Sequence, residues 1–366
     1  MPDAPLTIDR ATPADDVALR ALLAACPMPG RVALTYEREP AFVAADAALG
    51  PEVETLVTRR GDEVVAVAQR AVRMRFVGGV PSRVGYLGAL RVRADAQGRG
   101  LVMRGYRAMR ERHDADGQTP FYLTSITEEN AVSRGLLVDT PRPSIPAYRE
   151  ATPFVTAAIV VRRERPRLPA GVTLGRANGW YDVSDFLVRE GARRDGFPVW
   201  TPDVLAAMPG LSPADVVVAR KEGRIVGTLA LVDARATRQS VVRGYDRLLG
   251  RVRPFVNLAA RLAGLPPLLP AVGQPLASAF AALPCVEGDD AAVFDALVAA
   301  VRSEAHRRGL AYVLAGAATG DPLLPILRRR GHIAYRSRLY TVAWADGTEA
   351  AARLDARCLQ PDVSTL

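Results

Sequence analysis

Cysteine is scarce in this chain and lysine is almost missing. Cys26, Cys285 and Cys358 are the three cysteines in 366 residues. They are scattered, odd in number and lack metal-ligand spacing. That argues against a disulfide framework and a cysteine metal site, and a reducing cytoplasm is the expected compartment. Of 48 basic residues only Lys221 is lysine, a bias typical of a bacterial GC-rich genome. Histidine is equally thin. His113, His306 and His332 stand alone and read as surface or helix-end residues, so no metal is expected. Aromatics make up 6% and never alternate with the arginines, so the net charge of +9 is not read as a nucleic-acid surface. No apolar run is long enough to span a bilayer, and residues 1–16 contain no apolar signal region. An integral membrane segment is therefore not expected. Three catalytic signatures are missing as well: the GxSxG nucleophile elbow, the Walker loop and GxGxxG.

What remains is a globular chain, 49% hydrophobic and 24% charged, long enough for two domains. Its central stretch is residues 84–112. An alternating apolar strand at 84–92 runs through the turn Ala94-Asp-Ala-Gln-Gly-Arg-Gly100 into an amphipathic helix. Leu101, Val102, Tyr106 and Met109 form the helix's apolar side. The first N–H groups of such a helix have no intrahelical partner and sit at its positive dipole end. Gly98 and Gly100 would let an anion approach them. A basic surface also favours anionic ligands.

The turn resembles the pyrophosphate loop of the GCN5-related N-acetyltransferases, [QR]xxGx[GA], read here as Gln97, Gly98, Arg99, Gly100, Leu101 and Val102. Val102 departs from the family's Gly or Ala. The wider element order supports the same resemblance: strand 6–11, helix to about residue 26, helix 41–49, strands 53–59 and 63–74, the central strand and helix, strand 120–126, helix 130–138 and strand 154–161. The resemblance implies a mixed α/β (α+β) sheet. It implies acetyl-CoA or another acyl-CoA as co-substrate, held by backbone groups of Ala89, Leu90, Arg91 and Val92. Asn130 matches the family asparagine near the pantetheine.

Residues 164–171 read as a charged, proline-containing linker between an N-terminal domain, 1–163, and a second copy of the same order at 172–366. The expected architecture is two tandem GNAT-like domains. In the second, Pro284-Cys-Val-Glu-Gly-Asp-Asp290 replaces the glycine loop, and its acids would repel a pyrophosphate. This domain is read as degenerate. It carries an insertion at 237–270 in which Val241, Val242, Tyr245, Leu248, Leu249 and Val252 recur at helical spacing, with Pro254 expected to break or kink the helix. That apolar stripe is expected to pack on the first domain. The alternative is a basic amphipathic helix for a membrane or an acidic protein.

The implied reaction is direct acyl transfer from a thioester to an amine. The acceptor would be a small molecule or peptide. The amine needs a base, and the leaving thiolate an acid. The family's tyrosine acid would fall on Leu137, which cannot supply a proton. Tyr86, on the central strand, and Glu129 are the candidate catalytic residues, with Tyr122, Glu128 and Tyr148 nearby. Two other readings share these observations. One takes the acyl group from an acyl carrier protein; the other is a non-catalytic acyl-CoA-binding or interaction protein.

Overall fold

The computed structural model describes residues 5–98, 100–139, 142, 145–354 and 357–366. Its first half runs β1 (Leu6–Arg10), α1 (Asp16–Ala25), β2 (Val32–Glu37), α2 (Asp46–Leu49), β3 (Glu52–Arg60), β4 (Glu63–Val77), β5 (Val80–Val92), α3 (Leu101–Asp116), β6 (Tyr122–Thr127), α4 (Ala131–Leu137) and β7 (Ala147–Val160). The second half runs β8 (Val172–Arg176), α5 (Tyr181–Gly191), α6 (Pro202–Ala206), β9 (Val216–Lys221), β10 (Arg224–Val232), β11 (Gln239–Tyr245), α7 (Arg247–Leu262), β12 (Ser278–Val286), α8 (Ala291–Arg307), β13 (Tyr312–Ala318), α9 (Leu324–Arg328), β14 (His332–Ala343) and α10 (Thr348–Ala352).

Twelve strands form one sheet in the order β1-β3-β4-β5-β6-β14-β7-β13-β12-β10-β9-β8. The order is a palindrome of the repeat. Its two last strands are exchanged: β14 pairs with β6 of the first half, and β7 pairs with β13 of the second. At the centre β7 and β14 pair antiparallel along most of their length, from His332 opposite Ile159 to Ala343 opposite Ala147. Each half therefore completes the other's sheet.

The halves also interlock through side chains. β4 continues past Met74 because its end enters the second half. The Phe76 N–H donates to the Phe197 carbonyl at 2.9 Å, and the Phe76 ring lies in the same buried cluster as Trp200 and Phe186. The buried Arg75 donates to the Gly196 carbonyl at 2.9 Å. The segment 164–171 is bound at its start, where Glu164 pairs with Arg302 at 2.5 Å and Arg330 at 3.1 Å.

Two local readings change. Val241, Val242 and Tyr245 belong to strand β11, not to a helix, because they pair across the halves with β2, a strand that local periodicity does not announce. Helix α7 starts only at Arg247 and continues through Pro254 without a break. Gly250 and Pro254 are both exposed, so the carbonyl that loses its donor faces water. Of the apolar stripe, Val241 and Val242 are buried, Tyr245, Leu249 and Val252 are half-buried and Leu248 is exposed; further along α7, Phe255, Leu258 and Leu262 are more than half exposed.

Candidate functional site

The site begins where two parallel strands part. β5 and β6 pair only through Gly85 with Tyr122 and Tyr86 with Leu123. The Thr124 hydroxyl holds the end of the junction by donating to the Leu87 carbonyl at 2.7 Å. Two residues on, Ala89 has φ +53°, and the β4–β5 register slips between Val67 and Gln69. A positive φ at alanine is strained, so this bulge is a built feature that turns β5 away from β6. The gap opens on a cavity of about 430 Å3. Leu90, Arg91, Val92, Leu101, Val102 and Asn130 line it from the first half; Arg238, Phe280, Leu314 and Tyr335 line it from the second.

The glycine turn stands at one rim of this opening. Gly98 and Gly100 have φ of +79° and +69°, and a Cβ on either would meet nothing within 4 Å. Gly100 is the N-cap of α3, and no side chain caps the helix there. The N–H groups that open a helix have no intrahelical carbonyl to bind and lie at its positive dipole end, which suits an anion. Gln97 is exposed and ties the turn to β5, its amide donating to the Val92 carbonyl at 3.3 Å. Asp95, just before the turn, is neutralised by Arg93 at 2.6 Å and Arg60 at 2.8 Å. Arg99 lies outside the described residues. Asn130 caps α4, its side-chain oxygen accepting from the Ser133 N–H at 3.0 Å.

The two candidate catalytic residues are placed differently. Tyr86 is buried, lines the cavity and shares a hydrogen bond with the Ser125 hydroxyl at 3.0 Å. Burial raises its phenol pKa, so it is neutral and a poor base. Glu129 is exposed on the turn before α4 and is not among the cavity residues. Leu137 does line the cavity, packed with Tyr106, Ile126 and Tyr148. The Tyr106 and Tyr148 hydroxyls are hydrogen-bonded to each other, and both rings line the cavity. Burial pushes Tyr106 up to about 12 and Tyr148 well above the ordinary phenol value. Both stay protonated near neutral pH. Local pattern gave no warning of Tyr36 and Tyr335 in the same cavity: Tyr36 sits on the unread strand β2, and Tyr335 arrives on an exchanged strand.

No protein-family model and no curated protein matches the chain. Solved structures do. A GCN5-related N-acetyltransferase from Sphaerobacter thermophilus is 18% identical, with 92% of this chain and 96% of that one aligned at TM-score 0.57. A GCN5-related glucosamine N-acetyltransferase region of a fungal multi-domain beta-N-acetylglucosaminidase is 13% identical at TM-score 0.60, covering 92% of this chain and 38% of that one. A GCN5-related N-acetyltransferase from Anabaena variabilis is 10% identical at TM-score 0.50, covering 92% and 72%. The fold is that of the GCN5-related N-acetyltransferases.

The second acetyltransferase-like half has the same bulge, and among the described residues the space beside it is filled. Leu283 of β12 has φ +55°, and the β10–β12 register slips between Thr228 and Ala230. The Leu283 N–H donates to the fully buried Asp362 carboxylate at 2.6 Å, and its carbonyl accepts from Thr228 at 2.9 Å. Segment 360–365 is buried here beside β12 and β13. The void that remains, lined by Pro284, Phe294, Gly316 and Gln360 among others, measures about 20 Å3. The helix end is closed too: Asp290 caps α8 by accepting from the Ala292 and Val293 N–H groups at 2.8 and 3.1 Å.

Proposed function

We propose that the chain is an acyl-CoA-dependent N-acyltransferase whose first half holds the donor. The observation that carries this is the parted β5–β6 pair, with a bare glycine turn and an uncapped helix end at its rim and a cavity beyond. Gly98, Gly100 and the first turn of α3 would receive the pyrophosphate. The backbone of residues 89–92 would pair with the pantetheine, and Leu101, Val102 and Asn130 would flank it. Coenzyme A supplies the thioester. The chain's own groups do the rest.

The amine nitrogen bonds to the thioester carbon as the C–S bond breaks, the nitrogen gives up a proton to solvent that in turn restores the one the donor phenol gives to sulfur, and backbone N–H groups beyond the bulge stabilise the oxygen that becomes negative. The departing sulfur needs a proton, which Leu137 cannot give. Tyr148, held by Tyr106 and kept neutral by burial, is the donor we assign. It stands in the same cluster as Leu137.

Thermal shifts against free CoA, acetyl-CoA and longer acyl-CoAs test the reading. A ligand that binds only the folded state adds roughly 2.7 kcal/mol at a hundredfold excess over Kd. A clear shift, with chain-length dependence, is expected. No shift with any thioester overturns it. Turnover with a loaded acyl carrier protein alone would move the donor from coenzyme A to the carrier.

A further inference from the structure

The donor groove leaves the cavity's charged side chains unexplained, and the cavity has an unbalanced charge. Glu37, Arg38, Arg91, Arg235 and Arg238 are the charged residues lining it among the described residues. Three are neutralised by neighbours: Arg38 by Asp46 at 3.0 Å, Arg235 by Asp233 at 2.7 Å and Glu37 by Arg243 at 2.5 Å. Arg91 and Arg238 have no carboxylate at ion-pair distance among the described residues. Arg238 lies over the Phe280 ring at 4.7 Å and donates to the Ser364 carbonyl at 2.7 Å. Its Nε has no partner. Among the described residues Arg91 donates to the Leu90 carbonyl at 2.8 Å and the Met28 sulfur at 3.5 Å. Neither contact balances a charge.

The Met28 contact sets the Arg91 guanidinium against the wall that leads into β2. Tyr36 of β2 and Tyr335 of β14 stand near it on the same cavity wall. Burial raises both phenols, and the Arg91 charge pulls in the opposite direction. The cation thus faces two phenols, a thioether and the paired Arg38, in a cavity whose acids are already engaged. A half-buried cation without a counter-ion is costly, and a ligand anion relieves that cost. The guanidinium fork matches the two oxygens of a carboxylate.

We propose that the acceptor is an amine that also carries a carboxylate, and that Arg91 receives this carboxylate. The inference rests on the N-acyltransferase reading and narrows its substrate. A polycationic amine would meet two unbalanced arginines and be repelled. The same carboxylate chemistry could come from the acyl group. The Met28 and Tyr36 side of the cavity argues for the acceptor.

The experiment uses the full chain. Acetyl-CoA binding by thermal shift comes first, and its absence would fail the donor reading rather than this one. With acetyl-CoA bound, initial rates are then measured for the protein amino acids, each against its own α-carboxamide, and for spermidine. At least one acid is expected to exceed its amide by about a hundredfold in kcat/KM. Arg91→Gln should bring that ratio below about ten, and Arg91→Lys should restore part of it. Because the readout is a ratio within one protein sample, loss of folded enzyme cancels. Equal use of acid and amide, a preference for spermidine, or no use of any acid overturns the proposal. A final arm compares succinyl-CoA with butyryl-CoA on a neutral amine. A preference for succinyl-CoA that Arg91→Gln removes would place the carboxylate on the acyl group and overturn the acceptor assignment.

Discussion

In the first half the positive φ of Ala89 opens β5 onto a cavity of about 430 Å3; in the second the positive φ of Leu283 opens β12 onto Asp362. The backbone device is the same, and what fills the space differs. The first half leaves the end of α3 uncapped behind two glycines, whereas the second caps α8 with Asp290. A bulge is set by strand pairing and survives in both copies. Ligand capacity is set by side chains and by segment 360–365. The second half has become a brace: it fills its own gap, lends β14 to the first half and lines the cavity with Arg238 and Phe280.

The sharpest way to break this contrast is to put the same charge into both loops. Gly100→Glu places a carboxylate, and a strained residue, where the pyrophosphate would lie. Acyl-CoA affinity should fall by more than a hundredfold while the unliganded melting temperature shifts by a few degrees. Gly288 sits at φ +63° in the corresponding loop with the same open surroundings. Gly288→Glu should change affinity less than twofold. Calorimetry on the two variants decides it, and equal losses would mean that the second loop binds as well.

Removing the plug is the next largest test. Asp362 is fully buried and accepts from the Leu283 N–H, the Ser364 N–H at 2.9 Å and the Ser364 hydroxyl at 2.6 Å. Asp362→Ala strands those donors and should cost about 3 kcal/mol in urea denaturation. It should add no second acyl-CoA site, because Asp290 still caps α8. Binding stoichiometry measured on the same variant reports any second site. Within the first half, Tyr148→Phe should lower kcat about tenfold to a hundredfold with little change in KM. Tyr106→Phe, which removes only the partner of that phenol, should do less.

Much of this contrast was legible in the sequence. Gly98, Gly100 and the strand–turn–helix context mark the loop without a side-chain cap that we propose for the donor, and the acids at 287–290 mark its capped counterpart in the second half. They act less by repulsion than by capping: Asp290 takes the helix donors before a phosphate could. The exchange of β7 and β14 was not legible, because both strands have ordinary local patterns and only long-range pairing distinguishes their neighbours. β2 was missed for the same reason, and with it Tyr36. The cavity depended on those errors. Its walls come from residues more than 200 positions apart, such as Tyr36 and Arg238, and no spacing rule joins them. Segment 360–365 carries Asp362, Ser364 and Thr365, a polar composition that reads as exposed; the buried hydrogen bonds to Asp362 explain why it is not.

The smallest effect expected is one of pH, and it too separates the halves. His113 is buried in α3, its Nδ1 within 3.0 Å of the Tyr122 hydroxyl and its ring 4.7 Å from Trp344. Burial disfavours the imidazolium and outweighs the pull of Asp346, so the folded pKa lies below the ordinary 6.5. Below that value the unfolded chain binds a proton that the folded chain resists. The contribution is therefore complete above pH 6.5 and is lost as pH falls toward the folded pKa. Helix α8, the counterpart of α3, buries alanines such as Ala299 and Ala305 and has no buried histidine. Urea denaturation at pH 7.5 and pH 5.5 should show the wild type losing less than about 1 kcal/mol more than His113→Gln. An identical pH dependence in the two proteins would mean that the imidazole takes up its proton in the folded state, with Asp346 rather than burial setting its charge.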